Sequence, residues 1–201
     1  MIRPRSCIIA AFVVASAIAA ATTVHAGRPA LSVQASRAPG ADPEHARLTA
    51  MCGTWDVEMT FWFQPGRPGV TTKATSTIRP LFDGLFVEEQ IEGTLNGAPF
   101  TTLAWTGFNT DTHQYEATRI ASTNTIRIAE TGGYDQKTGQ FELKADYPLA
   151  GDTWHQRTVI QQTSADAMTA ASYLSFGVVP EWKSVEIKYT RRRTQATTVV
   201  R

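Results

Sequence analysis

Alternation between apolar and polar residues is the feature that most constrains the fold of this 201-residue chain. In residues 55–63 every odd position is apolar, and every even position except Trp62 is polar. A period of two is typical of a β-strand that packs one face against a core. Nine similar segments follow, separated by turn sequences such as Asn96-Gly97, and the chain holds 28 Thr against 9 Leu. Both observations predict an all-β protein.

The predicted strands span residues 53–64, 70–79, 84–95, 99–108, 113–121, 125–134, 140–147, 153–162, 167–175 and 182–190. An open sheet of ten strands would leave two long edges unpaired, whereas closure removes both. We therefore predict an antiparallel up-and-down barrel of about ten strands, closed by pairing between the first and the last. An immunoglobulin-like sandwich is the alternative, but it needs longer crossover connections. A short N-terminal helix from Pro43 to Gly53 precedes the barrel.

The first 26 residues have the organisation of a secretory signal peptide. Arg3 and Arg5 precede an apolar run at residues 8–21, and Val24-His25-Ala26 supplies a cleavage site. The run is shorter than the roughly 20 residues that a membrane-spanning helix needs, which makes an uncleaved anchor the weaker alternative. We expect a periplasmic or secreted protein without a stable membrane anchor. Its segments would be a signal peptide at 1–26, a flexible linker at 27–42, a barrel at 43–193 and a disordered tail at 194–201.

The two ends of the predicted barrel resemble a calycin barrel. A short helix leads into Gly53-Thr54-Trp55, and residues 185–191 look like a closing strand. In lipocalins the basic residue at the end of that strand packs on the tryptophan. Alternation places Arg191 on the apolar face of its strand, so the resemblance implies that Arg191 covers Trp55 by cation–π stacking.

Four segments resemble more closely an exported bacterial family known as domain-of-unknown-function family 1579: residues 53–57, 79–84, 96–100 and 186–192. The resemblance covers residues 43–193 and implies a lipocalin-like barrel without an established activity. Family members tend to carry an aromatic residue and an acid in the fifth strand, where this chain has Arg119-Ile120-Ala121. Nitrobindin, a more distant comparison, binds haem through a histidine near its C-terminal end. Residues 163–201 contain no histidine, so no cofactor is predicted.

The sequence lacks the patterns of common catalytic and metal sites. The spacing of His45, His113 and His155 matches no zinc motif, and His45 is expected on the exposed side of the helix. Cys52 would be the one cysteine of the mature chain, buried and inert. No nucleophile elbow or phosphate-binding loop occurs. We therefore predict no metal and no catalytic residue, and the formal charge of +1 argues against a nucleic-acid partner.

Charged residues at inward-facing positions are the candidate ligand contacts. Glu89 lies on the same strand face as Ile91, and Arg119 lies on the same strand face as Tyr115. Both charged side chains are therefore expected to point into the barrel. The eighth strand is ambiguous and adds Arg157. Because a charge inside a barrel is costly unless it is paired, Glu89 is expected to meet an arginine, Arg119 before Arg157. This pair fits a structural role and a ligand-orienting role equally well.

The sequence is compatible with three functions. The preferred one is binding of a small hydrophobic or amphipathic molecule in the lumen, through Glu89, Arg119, Arg157, Tyr115, Phe61 and Met59, with Phe63 on the same apolar face. The second is a lipocalin-like enzyme in which Glu89 acts as general acid or base. The third is an interaction module with a filled barrel and Trp62 on its contact surface. The sequence pattern does not indicate an oligomeric state.

The exported protein should begin at Gly27, because the apolar run and the small residues at the cleavage site direct processing after Ala26. N-terminal sequencing of protein recovered from outside the cytoplasm measures this directly. Exported protein that begins at Met1 would contradict the prediction.

Overall fold

The computed structural model describes residues 43–193, in which one α-helix and a 3-10 turn accompany ten strands. The elements are α1 Pro43–Ala50, β1 Gly53–Phe61, β2 Val70–Leu81, β3 Phe86–Leu95, β4 Ala98–Asn109, β5 Gln114–Ala121, β6 Ile128–Asp135, β7 Gln140–Leu149, β8 Asp152–Ser164, β9 Ala167–Phe176 and β10 Val179–Arg191. The predicted signal peptide, its cleavage site, the linker and the tail lie outside these described residues. Between residues 43 and 193, no helix has the length and apolar character needed to cross a membrane.

The strands form a closed antiparallel barrel in which β1 pairs with both β2 and β10. In the closing pair Val57 lies opposite Tyr189, and Met59 lies opposite Ile187. The predicted fold class and the predicted closure are therefore confirmed. Closure satisfies the backbone groups that the two terminal strands of an open sheet would expose.

The observed strand limits lie within three residues of the predicted ones. The end of β1 needs a correction, because the strand stops at Phe61 and Phe63 is 61 % exposed. Phe63 stacks on Phe61 with parallel rings, their centroids 6.1 Å apart. Pro65 has no N–H with which to continue the ladder, so the chain leaves the sheet there, while Phe63 stays on the same side as Phe61 although it is largely exposed.

Helix α1 packs against β3 and β4 and covers the end of the barrel at which β1 begins. Leu48 is fully buried there, and Met51 is nearly so. His45 is also buried, with its ring edge-on to Phe108 at 6.1 Å, so the prediction that His45 is exposed is wrong. Residues three apart share one face of a helix, and this spacing turns His45 toward the barrel beside Leu48. Ala46 lies on the exposed side of α1.

Arg191 ties the closing strand to the end of α1. Its guanidinium lies 4.0 Å from the centre of the Trp55 ring. The same group donates hydrogen bonds to the carbonyls of Cys52, at 2.6 Å, and Ala50, at 3.1 Å. The Trp55 indole N–H donates to the Met51 carbonyl at 3.0 Å. The contact therefore links the helix end, β1 and β10 through one arginine.

Gly53 makes room for this contact. Its φ is +145°, and a Cβ at this position would lie 2.3 Å from the Arg191 Nη1 atom. A side chain would displace the guanidinium from the Cys52 carbonyl. The Gly-x-Trp pattern at the start of β1 is thus explained by Arg191 of the last strand, which packs against both Gly53 and Trp55.

Replacing Trp55 by alanine should lower the free energy of unfolding by about 3–5 kcal/mol, the range for deleting a buried aromatic side chain. Trp55 has no exposed surface, and the change also removes the ring beneath Arg191. Urea denaturation measures the loss.

The matched control is Trp62→Ala, because Trp62 is half-buried and lies just after β1. This change should cost roughly 1–2 kcal/mol. Equal losses at the two tryptophans would contradict the structural role given to Trp55.

Candidate functional site

The barrel interior contains two cavities of different size. The inner cavity lies beside α1, has a volume of about 40 Å³ and offers room for a few water molecules. The outer cavity lies at the opposite end, has a volume of about 330 Å³ and opens to solvent. Of the two, only the outer cavity has the size of a site for a small organic molecule.

Two depressions of larger volume lie on the outer surface of the barrel. One, of about 480 Å³, covers β6 and β7, and the other, of about 540 Å³, covers parts of β1, β2 and β10. Threonine, acidic and lysine side chains contribute much of their linings. Ligand sites in proteins are enclosed and mostly apolar, so we place the candidate site in the outer cavity despite its smaller volume.

Indole rings form a fixed apolar wall at the mouth of the outer cavity. Trp154 stacks on Phe176 with ring centroids 4.3 Å apart and lies edge-on to Trp182 at 6.0 Å. The Trp154 N–H donates to the Leu149 carbonyl, and the Trp182 N–H donates to the Trp62 carbonyl, both at 3.1 Å. Because both N–H groups are satisfied by the backbone, the two rings are held in place and offer carbon surface to the cavity.

Arg119 on β5 borders both cavities. Its Nε lies 3.7 Å from Oε2 of Glu130, whose side chain is fully buried. The other oxygen of Glu130, Oε1, accepts hydrogen bonds from Thr158 at 2.5 Å and from Gln156 at 3.0 Å. The Arg119 side chain retains 24 % of its accessible surface, which we assign to the side that borders the cavities. The Glu130 carboxylate thus fixes the position of the Arg119 guanidinium.

Glu89 points into the barrel but has different partners from those predicted. Its Oε1 accepts hydrogen bonds from Ser76 at 2.8 Å and from Tyr189 at 3.0 Å. The structure therefore corrects the expected direct contact with arginine, because Arg119 pairs with Glu130 instead. Glu89 borders only the inner cavity, whose volume leaves no room for an organic substrate beside a general acid or base.

The charges in the barrel fix the protonation of their neighbours. Burial and the negative charge of Glu89 raise the pKa of Tyr189 well above its ordinary value of 10.0, so the phenol keeps the proton that it donates to Glu89. Burial works to lower the pKa of Arg119, but the charges of Glu130 and Glu89 outweigh burial and raise it. Arg119 is therefore a permanent cation with two carboxylates near it.

Arg157, a predicted ligand contact, lies on the outer face of the barrel. Its guanidinium donates to Glu181 at 2.7 and 3.1 Å and covers the Tyr173 ring at 4.1 Å. Its neighbours Gln156 and Thr158 are the buried residues of this part of β8. The inward-facing positions of β8 are therefore those that share a face with Trp154, not with Val159. Arg157 does not contribute to the site.

Three other predicted contacts divide between the two ends of the barrel. Met59 and Phe61 border the outer cavity, as a lumen contact requires. Tyr115 borders the inner cavity instead, and its hydroxyl donates to the Glu44 carboxylate at 2.5 Å. Tyr115 therefore joins α1 to the barrel and does not reach the outer cavity, which corrects its assignment as a contact of a ligand held there.

Four residues of the site were not predicted from the sequence: Glu130, Gln156, Trp154 and Trp182. Glu130 has the same parity as Ile128 and Tyr134 in β6, so alternation was the signal that could have found it. Ala129 and Gly132 weaken that alternation, because neither shows which face is polar. The tryptophans were visible as apolar residues, but their meeting at the mouth depends on how β8 and β10 are placed around the barrel.

Cys52 is a free, half-buried thiol, and burial raises its pKa, which keeps it protonated. In residues 43–193, no group of three or more histidine, cysteine or acidic side chains is placed to hold a metal ion.

Comparison with known proteins identifies the family and the fold. The model of the family described as "Protein of unknown function (DUF1579)" matches residues 40–191. The solved structure of an S-type phycobiliprotein lyase from Guillardia theta is similar, with a TM-score of 0.53 and 11 % identity, over 78 % of this chain and 97 % of that one. A redesigned β-barrel matches with a TM-score of 0.40 and 14 % identity, over 73 % and 95 % of the two chains. No curated protein matches the chain.

Replacing Glu130 by alanine should lower the free energy of unfolding by about 3–5 kcal/mol, because the change removes the carboxylate that forms the buried ion pair with Arg119. It would also leave Thr158 and Gln156 without their shared acceptor. Urea denaturation measures the effect.

Glu142→Ala is the control, since Glu142 is an exposed carboxylate on the outer face that also lies within ion-pair distance of an arginine, Arg157. That change should cost less than about 1 kcal/mol. A loss of similar size at both positions would show that Glu130 does not hold Arg119 in the folded state.

Proposed function

Since the chain belongs to the DUF1579 family, whose description gives no activity, its function has to be inferred from its site, and we propose that it binds a small hydrophobic or amphipathic molecule in the outer cavity. The observation that supports this proposal most strongly is the cavity of about 330 Å³, walled by aromatic side chains with Arg119 at its floor. A lumen filled by side chains would support no such proposal.

The shape of the cavity favours a ligand with a flat apolar body. Phe61, Trp154 and Trp182 offer ring surfaces at the mouth, and Ile91 and Ile187 continue the apolar wall inward. A molecule that buries about 250 Å² of apolar surface there would gain roughly 6 kcal/mol, from which the lost translational and rotational freedom of the ligand is subtracted. We expect simple aromatic probes to bind with a Kd above about 40 μM.

The proposed place of action is outside the cytoplasm, in the periplasm or beyond the cell. This part of the proposal rests on the sequence of residues 1–26, with its basic start, apolar run and small residues before Gly27.

Binding is tested with N-phenyl-1-naphthylamine, an uncharged fluorescent probe whose emission rises in apolar surroundings. Protein that comprises residues 27–201 should enhance the emission with a saturable dependence on protein concentration. The variant Leu174→Trp should abolish the enhancement, because Leu174 lines the outer cavity and an indole there would fill it.

Thr169→Trp is the matched control, since it places the same side chain on the exposed face of the same strand, β9. This variant should bind the probe as the parent protein does. If folded Leu174→Trp protein binds the probe as the parent does, the probe binds outside the outer cavity. If the parent protein does not bind the probe, the proposed function is contradicted.

A further inference from the structure

Arg119 is the charged group that a molecule in the outer cavity would meet. It borders the cavity directly, whereas Glu130 and Glu89 do not. Among the residues that the structure describes, Glu130 is its ion-pair partner through Nε, and no protein group forms a hydrogen bond with its terminal nitrogens. These nitrogens are donors without acceptor capacity. An acceptor on the ligand would complete their hydrogen bonding.

The charge around Arg119 is already more than balanced. Glu130 lies on one side, and the charge of Glu89 also acts on Arg119. One cation and two carboxylates give this group of three residues a net formal charge of −1. Both carboxylates are held in place by neutral donors, Thr158 and Gln156 for Glu130 and Ser76 for Glu89.

Each kind of polar head group meets this arrangement differently. A ligand carboxylate would accept from Arg119 but would add a second unbalanced negative charge in a region of low dielectric constant. A ligand ammonium would bring its charge against Arg119, since the two carboxylates lie behind the arginine and away from the outer cavity. An uncharged carbonyl oxygen accepts from Arg119 and adds no charge.

We propose that the outer cavity selects apolar molecules that carry an uncharged hydrogen-bond acceptor, such as an amide, ester or ketone carbonyl, and rejects the corresponding carboxylates and amines. This inference rests on the proposed function and names the chemical class of ligand for the same site. The acceptor binds to Arg119, and the apolar body lies between that residue and the tryptophans at the mouth.

The test compares three probes with the same bicyclic body: 2-naphthamide, 2-naphthoate and 2-naphthylmethylamine. Isothermal titration calorimetry at neutral pH, where the second is an anion and the third a cation, gives their affinities for the parent protein. The amide should bind at least about tenfold more tightly than either charged probe.

The variant Glu130→Gln tests the origin of the preference. It removes one negative charge beside Arg119 and keeps an oxygen for Thr158 and Gln156. The preference for the amide over the carboxylate should fall to within about threefold. Glu92→Gln, which removes an exposed carboxylate from β3, should leave the preference unchanged. If Glu130→Gln does not fold, the affinities of the three probes for the parent protein still test whether the cavity prefers an uncharged acceptor.

The possible outcomes separate this inference from the proposed function. Tighter binding of the amide supports both. Binding of the carboxylate or the amine as tightly as the amide overturns the inference, and so does a failure of the amide to bind when N-phenyl-1-naphthylamine binds. If no naphthalene probe of either kind binds, the proposed function fails and the inference fails with it.

Discussion

The contact of Arg191 with Trp55 and the end of α1 is the interaction on which the rest of the barrel depends. It joins the last strand to the first, with Gly53 leaving the space that the guanidinium occupies. It also fixes the register of the closing pair, and a slip by one residue would turn every side chain of β1 to the opposite face. Met59 and Phe61 border the outer cavity only because this register is kept.

With one end covered by α1, the interior becomes a blind pocket with a charged group partway down. Arg119, Glu130 and Glu89 carry a cost of desolvation, which hydrogen bonds from neutral side chains offset. A buried ion pair is by itself weak support for stability. The position of Arg119 between the two cavities gives the charge a second consequence, because any molecule that enters from the open end reaches a fixed donor.

Alternation predicted the ten strands and the inward position of Glu89 and Arg119, because a period of two depends only on local geometry. The closure was predicted from the two edges that an open sheet would leave unpaired. Alternation failed for residues whose position depends on how the elements pack against one another. His45 faces the barrel because of how α1 docks, and β1 ends at Phe61 because the chain turns at Pro65. Arg157 was misassigned because apolar residues occur on both faces of β8, and Glu130 was missed because the small residues of β6 weaken its alternation. The cavity itself depends on distances across the barrel that no local pattern contains.

A crystal structure of the protein grown with 2-naphthamide would show whether an uncharged acceptor binds to Arg119 inside the barrel. We expect electron density for the bicyclic ring in the outer cavity beside Trp154 and Trp182, with the amide oxygen within hydrogen-bonding distance of an Arg119 terminal nitrogen. Density for the molecule on the outer surface alone, or in the cavity with the amide turned to the mouth and away from Arg119, would contradict it.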